Sequence, residues 1–195
     1  MTNVLSIAGF DLLLDVGVKS DIKIANLLKK DIFNIASCNT IQSQNSFVIN
    51  YQDSYFLEQQ INYFLSKKSN KFIKIGMLGN IANAQIINSC LENNDTNIQI
   101  IFDPVIKSSS GIELMDLKTL NYINNNNFLK NIDLITPNIN EAEILSNIKI
   151  NNLEDVKNAA KIIKSKGVKN VLIKGAHLNV QNKTIEHYLL QEDKD

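Results

Sequence analysis

Asp103 ends the run Ile98-Gln99-Ile100-Ile101-Phe102, which is apolar enough for a strand buried on both faces of a parallel sheet. Pro104 stops further ladder pairing, and the segment continues through Val105 and Ser108-Ser109-Ser110 to Gly111. Ligands of open α/β sheets bind beyond the carboxyl ends of the strands, so this carboxylate either faces a site or caps its own loop. Small polar residues closed by a glycine suit the close approach of an anion. Other apolar runs end similarly, at Gly9 and Asp11, at Gln42, at Gly76-Met77 and at Lys174-Gly175. In a parallel sheet these exits share one rim. They would offer carboxylates, a lysine, an amide and open backbone, a set suited to a nucleotide and a small polar acceptor.

The elements that must position these residues follow from periodicity. Strands are expected over 3–8, 32–38, 71–75, 98–102, 132–135 and 168–173, with a further one over 184–190. Helices are expected over 21–28, with Ser20 or Asp21 as cap, and over 55–65, 82–91 and 153–166, the last closed by Gly167. Segment 117–129 has helical spacing but contains four consecutive asparagines, a poor helix interior, and Pro137 or Asn138 fits the start of another helix. A loop joins Gly9 to Gly17. Strands alternating with helices give a three-layer α/β fold, a mostly parallel sheet covered by helices on both faces. Residues 1–195 read as one domain, without repeat or linker.

Composition narrows the function. The formal net charge is zero, which gives no electrostatic footprint for nucleic acid or an anionic membrane. All 20 basic residues are lysine, so any phosphate-binding cation must be lysine. No apolar stretch approaches the roughly 18 residues that span a bilayer, and Met1-Thr2-Asn3 does not open a signal peptide. A cytoplasmic location is expected. Cys38 and Cys90 lie far apart with no neighbouring histidine, as core thiols of a reducing compartment would. The sequence contains no GxxxxGK[ST] loop, HExxH motif, GxSxG elbow or Cys/His zinc cluster.

Several motifs occur together in order: Ser6-Ile7-Ala8-Gly9-Phe10-Asp11, Gly17-Val18-Lys19-Ser20-Asp21, Lys74-Ile75-Gly76-Met77-Leu78-Gly79, Asp103-Pro104-Val105, Thr136-Pro137-Asn138-Ile139-Asn140-Glu141 and Ile173-Lys174-Gly175. In this order they resemble the hydroxymethylpyrimidine and phosphomethylpyrimidine kinases of thiamine biosynthesis, within the ribokinase-like superfamily. The resemblance spans essentially the whole chain. It implies transfer of the γ-phosphoryl group of ATP, with Mg2+, to 4-amino-5-hydroxymethyl-2-methylpyrimidine and its monophosphate, and it implies a homodimer. It places Gly9, Asp21, Gln42 (or Gln44), Met77 and Val105 around the pyrimidine. Asn138 and Glu141 would hold Mg2+ through water, Lys174 would meet nucleotide phosphates, and Asp103 would lie beside them. The residues alone leave other readings open: Met77 and Val105 as core, Asn138 and Glu141 as a cap on a solvated face, Lys174 as a surface lysine. His177 is expected to shape a turn and His187 to lie on a hairpin surface.

Two departures from the family pattern set further expectations. The family's small-residue first loop is replaced by Leu12-Leu13-Leu14-Asp15-Val16-Gly17, which adds bulk and a negative charge at the substrate mouth. The Gly-Thr-Gly-Cys or Gly-Thr-Gly-Asp motif that supplies the family's anion hole does not occur in these 195 residues, so the chain reads as incomplete at the C-terminus and no catalytic base is assigned. Missing helices would leave apolar sheet surface open. Two alternatives therefore stand beside the leading one: a pyridoxal-type kinase, and an inactive remnant or binding module.

Overall fold

The computed structural model describes residues 3–43, 46–67, 70–93, 97–108, 111–175 and 185–191. Its strands are β1 (Asn3–Asp11), β2 (Ile32–Gln42), β3 (Phe47–Tyr51), β4 (Asn70–Ile75), β5 (Gln99–Phe102), β6 (Leu134–Ile135), β7 (Asn170–Ile173) and β8 (Tyr188–Leu190). They form one sheet in the order β3-β2-β1-β4-β5-β6-β7-β8, with β3 and β8 antiparallel at the two edges and the strands between them parallel. The chain builds outward from β1 to β2 and β3, then returns to the other side of β1 with β4. That reversal is the topological switch point, where doubly wound sheets open a crevice at the carboxyl ends of their strands.

The helices are α1 (Val18–Leu27), α2 (Ser54–Leu65), α3 (Ile81–Glu92), α4 (Leu117–Asn125), α5 (Ile139–Ser146) and α6 (Leu153–Ser165). Asp53, Asn80, Asp116, Asn138 and Asn152 cap α2 to α6, each accepting from a backbone N–H in the first turn. The asparagine run shortens α4, and the chain tightens into a 3-10 turn at Asn127–Asn131 that still buries Phe128 and Leu129.

The main core lies between one sheet face, with Leu5, Ile7, Ile73, Ile75, Phe102 and Ile173, and the inward faces of α2 to α6. The opposite face carries Val4, Ser6 and Lys74 against α1. Connections on either side of a switch point fall on opposite faces of the sheet, because parallel crossovers are right-handed. Cover is thus extensive on one face. On the other it is provided by α1 over β1 and β2, and Ile101, Leu134 and Leu172 are only half-buried among the described residues.

Several boundaries differ from the sequence expectation. β1 continues past Gly9 to Asp11, through a register shift at Ala8/Gly9, so the connecting loop is 12–16. Ser20 and Asp21 lie inside α1; Gly17 caps it, with no side-chain hydrogen bond. β3 was not expected, because Phe47–Tyr51 follows β2 without a helix and its outward residues stay exposed at the sheet edge. The last strand spans only Tyr188–Leu190 of the expected 184–190, and residue 184 lies outside the described residues. His177 and Gln44 lie outside them as well.

Candidate functional site

A cavity of about 470 Å³ opens beyond the carboxyl ends of β1, β2, β4 and β5, at the switch point. Gly9, Asp21, Gln42, Met77, Val105 and Asp103 all line it, drawn from β1, α1 and β2 and from the loops after β4 and β5. Leu14, Asp15 and Val16 line it too, so the expected bulk at the mouth is real.

One wall is apolar. Cys38, Met77 and Leu114 form a small buried cluster, with Val105, Phe47 and Ile49 packed on it. A Cβ on Gly9 would stand 3.0 Å from Met77 Sδ and 3.4 Å from Cys38 Sγ, so the β1 backbone fits directly under this wall. Met77 and Val105 are thus both core and cavity lining. Burial raises the Cys38 thiol to about 11, and burial likewise raises Cys90 to about 11, leaving both unreactive at neutral pH.

Asp11 anchors the loop over the cavity. It is almost fully buried, accepts from Thr40 Oγ1 at 2.7 Å, and accepts from the N–H groups of Leu13 and Leu14 at 2.9 and 2.8 Å. Burial disfavours its charge, but hydrogen bonds from Thr40, Leu14, Leu13 and Gln42 together win, and its carboxyl titrates below the ordinary value. The loop closes where Phe10 bridges to Gly17 at φ 56°, a conformation that glycine tolerates. Lys19 Nζ donates to Leu12 O at 2.9 Å, and Lys23 pairs with Asp15. The negative charge expected at the mouth is therefore balanced by a neighbouring lysine.

Asp21 projects from α1 into the same cavity. Its Oδ2 accepts from Lys74 Nζ at 2.8 Å and from Ser6 Oγ at 2.5 Å. Sequence reading gave Lys74 no role. A lysine between Ile73 and Ile75, in the interior half of the strand, was the available signal, since such a charge requires a partner.

At the other end of the rim, Asp103 Oδ1 accepts from Lys174 Nζ at 2.7 Å and from Thr136 Oγ1 at 3.3 Å. Lys174 is thus not a free surface lysine; it reaches the cavity through Asp103. Asn138 bridges to Lys174 in the backbone and begins α5. Asn138 and Glu141 form a capping box: Asn138 Oδ1 accepts from the Glu141 N–H at 2.9 Å, and Glu141 Oε2 accepts from the Asn138 N–H at 2.8 Å. The face is not solvated, because Glu141 is only 5% exposed and lies beneath the loop after β5, where Oε1 accepts from the Ile106 N–H at 3.4 Å. Burial raises its pKa, the Asn138 hydrogen bond opposes this, and the charge on Asp103 adds to the rise.

His187 accepts at Nδ1 from the Gly175 N–H at 3.1 Å, on the exposed edge beside β8. No helix of the described residues is long and apolar enough to cross a membrane.

The chain resembles known proteins in sequence and in fold. The model of the phosphomethylpyrimidine kinase family matches residues 16–195. A hydroxymethylpyrimidine/phosphomethylpyrimidine kinase of Aquifex aeolicus is 38% identical over 89% of this chain and 68% of its own length. The solved phosphomethylpyrimidine kinase of Clostridium difficile superposes with a TM-score of 0.83 over 99% of this chain and 85% of its own, at 24% identity, a likeness of fold. A pyridoxal kinase of Staphylococcus aureus, solved with AMP-PCP and pyridoxal, gives a TM-score of 0.76 over 90% of this chain and 62% of its own, at 27% identity. Matched along nearly its whole length by the family model and by a close relative in sequence, the chain belongs to the hydroxymethylpyrimidine/phosphomethylpyrimidine kinases, a family of phosphotransferases with the ribokinase-like fold.

Proposed function

We propose that the cavity takes 4-amino-5-hydroxymethyl-2-methylpyrimidine and its monophosphate, and that the Asp103–Lys174 end of the rim receives the phosphates of ATP. The observation that carries this reading is the division of one crevice into two chemistries. Met77, Val105 and Leu114 offer an apolar wall, and Asp21 and Gln42 line the same cavity, which suits a small aromatic ring bearing an amine. Asp103 lines the cavity, and Lys174, paired with it, and Glu141, close enough to feel its charge, make a charged end beside it.

In the transfer, the alcohol oxygen of the pyrimidine, or a phosphate oxygen of its monophosphate, forms a bond to the γ-phosphorus as the bond to the ADP oxygen breaks, and the proton of an attacking alcohol is released to water. Such a transition state asks the protein for alignment and charge neutralisation. Lys174 supplies a compact positive charge, held in place by Asp103. Gln42 and Asp21 orient the ring so that its hydroxymethyl arm points along the rim. The loop over Leu14 and Val16 narrows the mouth and reduces access of water.

Magnesium fits the charged end. Asp103 and Glu141 set two carboxylates near each other, with burial and mutual repulsion both opposing charge on Glu141, a cost that a divalent cation offsets. Among the described residues no group of three or more His, Cys, Asp or Glu forms a ready cage. Few protein ligands with water completing the shell is the manner in which Mg2+ binds. Asp103 and Glu141, with Asn138, would hold it through water, and it would neutralise phosphate charge.

The pyridoxal kinase likeness makes pyridoxal the competing acceptor. Initial rates with the pyrimidine alcohol, its monophosphate and pyridoxal, each over a concentration series with ATP and Mg2+, test the reading. The pyrimidine substrates should show the higher kcat/KM; a preference for pyridoxal would overturn the assignment of the ring site.

A further inference from the structure

Ser6 on β1 and Lys74 on β4 are register partners in the parallel ladder, and both donate to the same atom, Oδ2 of Asp21 on α1. Three elements that meet at the switch point are thus tied through one carboxylate oxygen. Ser6 is fully buried, and the Lys74 and Asp21 side chains are 29% and 20% exposed, so the pair is partly screened from solvent at the cavity's inner end. Among the described residues, the hydrogen bonds to Asp21 fall on Oδ2, which leaves Oδ1 for a ligand in the cavity. Lys74 also curls back over Gly76: a Cβ there would stand 3.3 Å from Nζ and 3.3 Å from the Ala8 side chain. The space that glycine leaves is the space that lets Nζ reach both Asp21 and the cavity lining.

We propose that Lys74 is a positioning residue for ring recognition: with Ser6 it holds Asp21 in one rotamer, with Oδ1 turned to the amine edge of the pyrimidine. This rests on the proposed function. A carboxylate on a helix facing a cavity has several rotamers, and fixing one before the ligand arrives lowers the ordering cost of binding. Two donors on one oxygen also remove the alternative in which Asp21 swaps its oxygens. Lys74 makes no contribution of this kind at the nucleotide end, where Lys174 is paired with Asp103 instead.

The test is calorimetric titration of the full chain with 4-amino-5-hydroxymethyl-2-methylpyrimidine and, separately, with a non-hydrolysable ATP analogue plus Mg2+. Lys74→Met should weaken pyrimidine binding about tenfold, the size expected for loss of one charge-assisted hydrogen bond at a partly buried site, and leave nucleotide affinity within about twofold. Lys74→Arg should recover most of the loss. In an Asp21→Asn background Lys74→Met should cost little more, because the two act as one unit. Should Lys74→Met fold poorly, Ser6→Ala removes the other donor to Asp21 Oδ2 from outside the cavity lining and should weaken the pyrimidine selectively. Wild-type pyrimidine affinity in Lys74→Met, an equal loss for both ligands, or a full additive loss in the Asp21→Asn background would each overturn the inference while leaving the proposed function standing. A wild-type chain that binds nucleotide but not pyrimidine would overturn both.

Discussion

Lys174 Nζ lies 2.7 Å from Asp103 Oδ1, although 71 residues separate the two in the chain. β6 lies between the strands that carry them, and both residues follow directly on the carboxyl end of a strand, β5 for Asp103 and β7 for Lys174. The sheet order alone brings them to one rim. The pair is partly exposed, so it contributes little to stability; what it provides is a cation fixed at the edge of a cavity.

Replacing that cation should therefore affect nucleotide handling rather than folding. Lys174→Met is expected to lower nucleotide affinity by roughly tenfold and turnover by more, in the range seen when one stabilising donor is removed from a transition state. Thermal melting and pyrimidine affinity should stay close to wild type. Titration with each ligand, beside a melt, checks this.

Glu141 makes a prediction with a pH sign. Its pKa in the folded chain is raised, mainly by burial, above the ordinary 4.5. The stability it contributes is full below 4.5 and is lost as pH rises through the folded value. Glu141→Gln keeps an acceptor for the Asn138 N–H and cannot ionise. Relative to wild type, the variant should gain stability as pH rises above 4.5, while its Mg2+-dependent turnover falls. Melting curves across this range, paired with Mg2+ titrations, separate the two roles.

Asp11 has the opposite sign. Its carboxyl titrates below the ordinary 3.8, because hydrogen bonds from Thr40, Leu14, Leu13 and Gln42 outweigh burial. The stability it contributes is present above 3.8 and is lost as pH falls through the folded value. Asp11→Ala leaves the Leu13 and Leu14 N–H groups and the Thr40 hydroxyl without that acceptor, which should cost about 1–3 kcal/mol near neutral pH. The difference from wild type should narrow below about pH 4, as read by denaturant midpoints along a pH series.

Gly17 closes the same loop. A Cβ there would stand 2.1 Å from the Gly9 carbonyl oxygen, and its φ of 56° already disfavours any other residue. Gly17→Ala should cost more than the ~1 kcal/mol of a left-handed alanine, because β1 or α1 must also move. A lowered melting temperature together with weaker pyrimidine binding is the expected result.

The rim was legible in the sequence because each of its residues stands where an apolar run ends. Asp103, Gln42, Met77 and Lys174 needed only the assumption of a parallel sheet to be brought together, and the sheet is parallel through its centre. Helix caps were harder to read. Asn138 was recognisable beside Pro137, but α1 is capped by the backbone of Gly17, so Ser20 and Asp21 were misread as its start. β3 was missed because an exposed edge strand needs no continuous apolar run. The Asp21–Lys74–Ser6 link joins three elements, and pairing of that kind is not written in local periodicity. The balance of Asp15 by Lys23 was hidden similarly, since the loop had to fold back over the first turns of α1 before the two charges could meet.

The most direct test of the central claim is ADP release by the purified chain with ATP and Mg2+, measured with and without 4-amino-5-hydroxymethyl-2-methylpyrimidine. The account predicts release that depends on the pyrimidine, saturates with it and is reduced by Lys174→Met. A folded chain whose ADP release is the same with and without the pyrimidine would contradict it.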